Sequence, residues 1–177
     1  MKNIEIKVSI RSLESVHKFL INLPEIQEVW LREQTDTYFN VPNGRLKLRM
    51  ESGADSQLIY YNRSDLPQAR ESNYRIYYAN NSENLKGLLQ DALGIKVVVK
   101  KQRRLLKFRN VRIHLDSVSG LGKYLELESV VDSKTDEQAA EKNLRELHNI
   151  LLSCFKLTPV SQSYSDLLIK NRKVGKL

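Results

Sequence analysis

Strict alternation of apolar and ionic residues recurs in five short stretches of this chain, and it demands strands with one charged face. The stretches are Asn3-Ile4-Glu5-Ile6-Lys7, Arg45-Leu46-Lys47-Leu48-Arg49, Lys101-Gln102-Arg103 after a run of valines, Arg112-Ile113-His114-Leu115-Asp116 and Tyr124-Leu125-Glu126-Leu127-Glu128. Successive strand side chains point to opposite faces, so each stretch displays its ionic groups together. If those faces converge, they form a site rich in both cations and carboxylates, which suits a metal-bound polyphosphate.

The rest of the pattern supplies the frame. A strand over 3–10 precedes a helix with Ser12 as N-cap and Leu13, Val16, Phe19 and Leu20 at helical spacing, up to Pro24. Extended stretches follow at 29–40, 45–51, 57–63 and 73–79. They are separated by the turns Pro42-Asn43-Gly44 and Ser52-Gly53-Ala54-Asp55 and by a loop over 64–69. Ser82 and Glu83 open a helix with Leu85, Leu88, Leu89 and Leu93 on one side, and Gly94 closes it. Residues 95–106, 108–116 and 123–131 read as three consecutive strands. An amphipathic helix over 135–155 turns Ala139, Leu144, Leu147 and Leu151 inward. A short helix over 163–169 leads to a basic tail, expected to be mobile from about residue 170. The sum is a single α+β domain over 1–177. Its eight antiparallel strands close into a β-barrel, helices flank the barrel, and the charged faces line the lumen.

Of the 177 residues, 41% are hydrophobic and 28% charged, which predicts a folded, soluble protein rather than a disordered one. The net charge of +8 favours an anionic partner without choosing among nucleotides, polyphosphates, RNA and acidic membrane. Cys154 is the only cysteine, so no internal disulfide forms, and its apolar surroundings predict a buried structural thiol. No run is long enough to span a membrane, and the N-terminus lacks the apolar core of a signal peptide, so the expected compartment is the cytoplasm.

Glu126 and Glu128 lie on one strand face, roughly 7 Å apart at Cα, a spacing at which two carboxylates reach one divalent ion. Mg2+ is commonly held by one or two carboxylates, with waters and phosphate oxygens completing its shell. Glu5 and Asp116 add carboxylates on other strands. The plainer interpretation is a solvated edge strand, but solvated faces mix Thr, Ser, Gln and Lys, whereas here the alternate positions are almost all ionic. Lys47 and Arg49 share a face, as do Lys101 and Arg103, and Arg112 shares one with Asp116. Crowded without an anion, these cations would repel and suffer a large desolvation penalty, which a triphosphate would offset. The alternatives are a structural ion network with the carboxylates, or an RNA backbone bound on the outside. There is no P-loop, and Gly120-Leu121-Gly122 lacks the rest of a dinucleotide turn. His17, His114 and His148 have no zinc-like spacing. His114, between Arg112 and Asp116, is placed to orient a carboxylate or to hydrogen-bond a substrate.

In this order along the chain, these residues resemble the CYTH family of triphosphate tunnel metalloenzymes, which includes class IV adenylyl cyclases and thiamine triphosphatases. Asn3-Ile4-Glu5-Ile6-Lys7 stands where the family has its E-x-E-x-K signature. Gly44-Arg45-Leu46-Lys47-Leu48-Arg49, Leu58-Ile59-Tyr60-Tyr61-Asn62-Arg63 and Lys101-Gln102-Arg103 are similar to family segments. Arg112-Ile113-His114-Leu115-Asp116, continued by Gly120-Leu121-Gly122 and Glu126-Leu127-Glu128, is most similar to the cyclase-like branch. The resemblance runs from Asn3 to about Asp166. It implies an eight-stranded tunnel, a triphosphate-bearing small molecule as partner, and Mg2+ or Mn2+ as cofactor.

Carried over by position, Glu5, Glu126 and Glu128 would be metal ligands with Asp116 assisting, and Glu5, Lys7 and Asp116 would form the catalytic set. Lys7, Lys47, Arg49, Arg63, Lys101, Arg103 and Arg112 would line the phosphate path. Arg70 joins them at a place where relatives often carry lysine, just before Ser72-Asn73-Tyr74. One position departs. Asn3 replaces the first glutamate of the signature, keeping a carbonyl oxygen that can ligate but losing a negative charge. Metal-dependent hydrolysis of inorganic, nucleoside or thiamine triphosphate is the leading expectation. Cyclisation of ATP to cyclic AMP is the alternative, and non-catalytic binding of a triphosphate or RNA is a second class. The absence of clustered surface aromatics disfavours nucleic acid, no membrane partner is expected, and homodimerisation stays open.

Overall fold

The alternating stretches resolve into one antiparallel sheet. The computed structural model describes residues 2–63, 72–133 and 135–174. Its elements are β1 (Lys2–Ser9), α1 (Leu13–Leu20), β2 (Ile26–Phe39), β3 (Arg45–Glu51), β4 (Ser56–Arg63), β5 (Ser72–Ala79), α2 (Ser82–Leu93), β6 (Ile95–Phe108), β7 (Val111–Val118), β8 (Gly122–Val131), α3 (Glu137–Cys154), β9 (Thr158–Pro159) and α4 (Tyr164–Val174). The strand order is β5-β4-β3-β2-β6-β7-β8-β1-β9. Two runs of consecutive antiparallel strands, β2–β5 and β6–β8, are joined by the non-consecutive pairing of β2 with β6, and β1 pairs with β8. The ninth, unanticipated because it is two residues long, pairs with Val8 and Ser9 of β1. β1 comes within 8 Å of β5 at Cα. Among the described residues no hydrogen-bonded ladder joins those two strands, so the sheet curls into a barrel-like form without closing.

The two faces of the sheet are covered by different means. On the outer face, Ile4, Val8, Leu106, Phe108, Val111, Ile113, Leu115, Leu125 and Leu127 pack under Val16 and Leu20 of α1 and Ala140, Leu144, Leu147 and Leu151 of α3. The caps are those the sequence provides: Ser12 Oγ accepts from Ser15 N at 3.2 Å, and Asp136 Oδ1 from Ala139 N at 2.8 Å. Each cap is worth about 1 kcal/mol. A second cluster, Tyr38, Val97, Val99, Val118, Tyr124 and Tyr164, packs with Leu167, Leu168 and Ile169 of α4. Tyr38, Tyr124 and Val118 share the face that carries the ionic residues, so α4 lies against the inner face.

Several local expectations are corrected. The inward stripe of α3 begins at Ala140 rather than Ala139, because Ala140 is the residue one turn before Leu144. Cys154 is exposed, not buried. Phe155 takes the inward place next to it and meets Phe19 edge-on at 5.4 Å between ring centroids. No residue of α2 is buried, and Leu88 is 65% exposed, so its leucine stripe builds no core. The turn between β6 and β7 lies at Arg109 and Asn110, later than expected. Arg109 adopts a left-handed φ of 52°, and neither residue is the Gly or Pro that usually announces a turn. α4 continues to Val174, through part of the tail expected to be mobile. Gly44, by contrast, is required where it stands. At φ 66° a Cβ would meet the Tyr60 hydroxyl at 2.8 Å and the Tyr61 carbonyl at 2.9 Å. Among the described residues, no helix is long and apolar enough to cross a membrane.

The outer core generates a direct test. Leu147 is fully buried, so Leu147→Ala is expected to lower unfolding stability by about 2–5 kcal/mol. Leu88→Ala is expected to change it by less than about 0.5 kcal/mol. Urea denaturation of the two variants measures both.

Candidate functional site

Strand register brings the charged stretches together. β1 lies beside β8 with Glu5 opposite Glu128 and Lys7 opposite Glu126. β8 lies beside β7 with Glu126 opposite His114 and Glu128 opposite Arg112. Arg103 of β6 faces Asp116 of β7. Further round, Lys101 faces Gln34, Asp36 faces Arg49, and Tyr38 faces Lys47. Directly opposed residues share a face, so an ionic belt runs from β3 through β2, β6, β7 and β8 to β1. It is an inner lining rather than a wet exterior. Asp116 is 0% exposed, Asp36 3%, Lys101 and Arg103 6%, and Lys47 9%. β8 is flanked by β7 and β1, which excludes a solvated edge strand for Glu126 and Glu128.

Two buried carboxylates organise the cations. Asp36 accepts from Lys47 Nζ at 2.9 Å and from Arg49 Nε and Nη2 at 2.7 and 2.9 Å. Asp116 accepts from Arg103 Nε and Nη2 at 2.6 and 2.5 Å and from the Tyr164 hydroxyl at 2.9 Å, with Lys101 Nζ at 3.5 Å. Burial alone would raise both carboxyl pKa values. The adjacent Arg49 and Lys47, and Arg103 and Lys101, override it and hold both below the usual carboxylate range. The lysines feel the opposite pressure. Burial and Arg49 bring Lys47 down to about 8 despite Asp36, and burial and Arg103 bring Lys101 down to about 7 despite Asp116. On this wall Lys47, Arg49, Lys101 and Arg103 face Asp36 and Asp116, with Glu126 also reaching Arg103, which leaves a surplus of positive charge inside the fold.

The β1–β8 end has the reverse balance, with Glu5, Glu126 and Glu128 against Lys7 and Arg112. Glu126 stands 3.6 Å from Lys7 Nζ and 2.9 Å from Arg103 Nη2. Burial pushes its pKa up, but Lys7, His114 and Arg103 hold it well below the usual range. Asn3 Nδ2 donates to Glu128 Oε1 at 2.5 Å, and Arg112, 44% exposed at the rim, lies 3.4 Å from Glu128 Oε2. Asn3 Oδ1 and His114 Nδ1 are buried without a hydrogen-bond partner. The oxygens of Glu5, Glu126, Glu128 and Asn3 are of the chemical kind that a divalent cation takes. As the side chains stand, no group of three His, Cys, Asp or Glu among the described residues converges on one point. Ligation therefore requires Glu126 and Glu128 to turn away from their present cationic partners.

Most residues singled out in the sequence thus share one face: Glu5, Lys7, Lys47, Arg49, Lys101, Arg103, Arg112, Asp116, Glu126 and Glu128. Arg63 ends β4, but its side chain, like the whole of Arg70, lies outside the described residues. Arg45 donates to Ser163 Oγ at 3.0 Å and to Asp166 Oδ2 at 3.1 Å, tying β3 to the start of α4. Sequence reasoning missed Asp36 and Tyr164. Asp36 carried a weak signal, the alternation Gln34, Asp36, Tyr38 in β2. Tyr164 carried none, because its partner lies far away in the chain.

The CYTH domain family model matches residues 1–158. The chain belongs to the CYTH domain family. Solved CYTH-like folds match it over nearly their whole length. The PH1012 protein of Pyrococcus horikoshii superposes with a TM-score of 0.79 at 22% identity, covering 93% of this chain and 98% of that one. A candidate adenylate cyclase of Vibrio parahaemolyticus gives 0.72 at 16% identity, covering 95% and 98%. HpAC1 of Hippeastrum, a candidate adenylyl cyclase with a dominant triphosphatase activity, gives 0.69 at 13% identity, covering 97% and 96%. No curated protein matches the chain by sequence. The family model stops at residue 158, so the contacts of Tyr164 and Asp166 lie beyond the matched region.

The buried carboxylates set a pH dependence. A carboxyl group whose folded pKa is depressed adds stability above its unfolded pKa, and that stability fades as pH falls towards the folded value. Asp36, Asp116 and Glu126 are all depressed from starting values of 3.8 to 4.5. These three carboxylates are therefore expected to withdraw stability only below about pH 4.5, and steeply there. Asp36→Asn, which leaves Lys47 and Arg49 uncompensated, is expected to cost about 3–5 kcal/mol at pH 7 and to flatten the acid limb. Urea titrations at pH 7, 5 and 3 measure both effects.

Proposed function

We propose that this protein is a divalent-metal-dependent phosphohydrolase acting on a triphosphate bound against the inner face of the sheet. The observation that carries this is the charge asymmetry of the lining, a buried wall with surplus cations next to an end rich in carboxylates. Lys47, Arg49, Lys101 and Arg103 bind and align the phosphate chain, with Asp36 and Asp116 holding the arginine forks in place. Glu5, Glu126 and Glu128, with the Asn3 carbonyl, hold the cation, and Lys7 neutralises charge where the two ends meet. A bound Mg2+ or Mn2+ supplies further charge neutralisation and Lewis acidity at the phosphoryl group. Arg112 at the rim guides the anion inward. Phosphoryl transfer makes few demands beyond positioning and charge stabilisation, which is what these residues provide.

Class IV-type cyclisation of ATP is the runner-up, and the candidate adenylate cyclase among the structural neighbours keeps it in view. It requires a held ribose and base. Tyr38, Tyr124 and Tyr164 are buried against α4 and valines, and Tyr61, 5.8 Å from Lys47 Nζ, packs partly buried against the same cluster, which favours hydrolysis. The triphosphatase activity of HpAC1 supports the same choice.

The decisive assay incubates the protein with inorganic triphosphate, thiamine triphosphate or ATP, each with Mg2+ or Mn2+, and follows phosphate and cyclic AMP. Phosphate release is expected, with its loss in the double variant Glu126→Ala, Glu128→Ala. Absence of turnover in every combination overturns the enzyme assignment, and turnover that survives the double substitution overturns the metal assignment. Lys47 gives a separate test of anion binding. A bound triphosphate raises the pKa of a lysine that stands at about 8 in the free protein. Binding at pH 8 to 9 should therefore be accompanied by proton uptake at Lys47 and Lys101, which is reduced in Lys47→Arg and largely lost by pH 6. Calorimetry in buffers of different ionisation enthalpy reads the uptake.

A further inference from the structure

The first turn of α4 stands on the ionic face, where the basic wall meets the carboxylate-rich end. The ring of Tyr164, 7% exposed, lies between two ammonium groups, with Lys7 Nζ 4.5 Å and Lys101 Nζ 5.3 Å from its centroid. Its hydroxyl donates to Asp116, the carboxylate that also holds Arg103. Two residues on, Asp166 Oδ2 accepts from Arg45 Nη2 at 3.1 Å. Asp166 and Ser163 also cap the helix reciprocally: Ser163 N donates to Asp166 Oδ2 at 3.3 Å, and Asp166 N donates to Ser163 Oγ at 3.2 Å. The apolar residues that follow, Leu167, Leu168 and Ile169, are only partly buried. A tyrosine and a carboxylate of the chain itself thus cover cations of the lining.

We propose that α4 is an autoinhibitory strap: Tyr164 and Asp166 occupy part of the seat of the anion, and a bound triphosphate lifts them from it. The inference rests on the anion seat of the proposed function and extends it to how that seat is opened. Phosphate oxygens that engage both Lys7 and Lys101 approach each nitrogen to about 2.7–2.9 Å, and the Tyr164 ring stands in that space. The ring offers the two lysines only its quadrupole, and Asp166 offers Arg45 a single carboxylate. A polyphosphate brings several charged oxygens to the same cations, so it has the differential affinity for the open state that displacement demands. The fold tolerates the movement. No residue of α4 belongs to the outer core that α1 and α3 cover. β9 fixes the chain as far as Val160, whose N donates to Lys7 O at 2.9 Å, so a movement of α4 pivots after that residue.

The test uses the full chain and inorganic triphosphate. Calorimetry gives the affinity of the wild type, Asp166→Ala and Tyr164→Leu, and hydrogen exchange follows the α4 amides with and without the anion. A closed strap reduces the apparent affinity of the wild type, so both variants are expected to bind at least about fivefold more tightly. The amides of α4 are expected to exchange faster in the wild-type complex than in the free protein. Wild-type binding with α4 exchange unchanged or slowed overturns the strap and leaves the anion seat standing, and so does a folded variant that binds no more tightly than the wild type. Binding seen only in the variants supports the strap, because the wild type is then held closed. Absence of binding in the wild type and in both folded variants overturns the strap and the anion seat together. The wild-type exchange measurement requires no substitution, so a variant that fails to fold does not decide the outcome.

Discussion

The cost of burying charge governs this structure. Arg103, Lys101 and Lys47 are buried cations, and a lone cation in such a place would cost several kcal/mol. Asp116 and Asp36 make the arrangement tolerable by accepting paired hydrogen bonds from Arg103 and Arg49. These bonds cross between strands, β6 to β7 and β2 to β3, so the ionic face can be buried only when the sheet has the observed register. A slip of one residue would turn every charge towards the outer core and every leucine towards the lining.

The outer face supplies the complementary constraint. Ile113, Leu115, Leu125 and Leu127 alternate with the charged residues and must be covered, and α1 and α3 cover them. Helices α1 and α3 on one side, and ion pairs beside the α4 cluster on the other, let the sheet bury both faces while part of its lining stays ionic. That inversion of the usual barrel makes a lining able to hold a polyanion. The same logic explains why α2, which covers neither face closely, contributes no buried residue. It also gives α4 its place, since Tyr164 and Arg45 bind it to the lining through Asp116 and Asp166.

Much of the fold was legible in the chain. The period-2 stretches, the Ser12 cap, the α3 stripe from Leu144 to Leu151 and the Gly44 turn all reflect local rules that hold whatever the partner. Failures came where local rules compete or fall silent. The Arg109–Asn110 turn lacks Gly and Pro, β9 is too short for any periodicity, and Cys154 shares the helical spacing of the core residues but yields its place to Phe155. In the candidate site, the residues that alternate within a stretch were found, Asp116 among them, whereas Asp36, the counter-ion of Lys47 and Arg49, was not.

Alternation alone determined that Lys47 and Arg49, Lys101 and Arg103, and Glu126 and Glu128 would stand in pairs on strand faces, because side-chain direction in a strand follows from backbone geometry. Only the tertiary structure decided which charges meet. Strand order and register put Asp36 under Arg49, Asp116 under Arg103 and His114 between two glutamates, and α4 carries Tyr164 onto Asp116. These contacts join residues distant in sequence. Their energies depend on burial that exists only once the sheet has curled and the helices have closed over it.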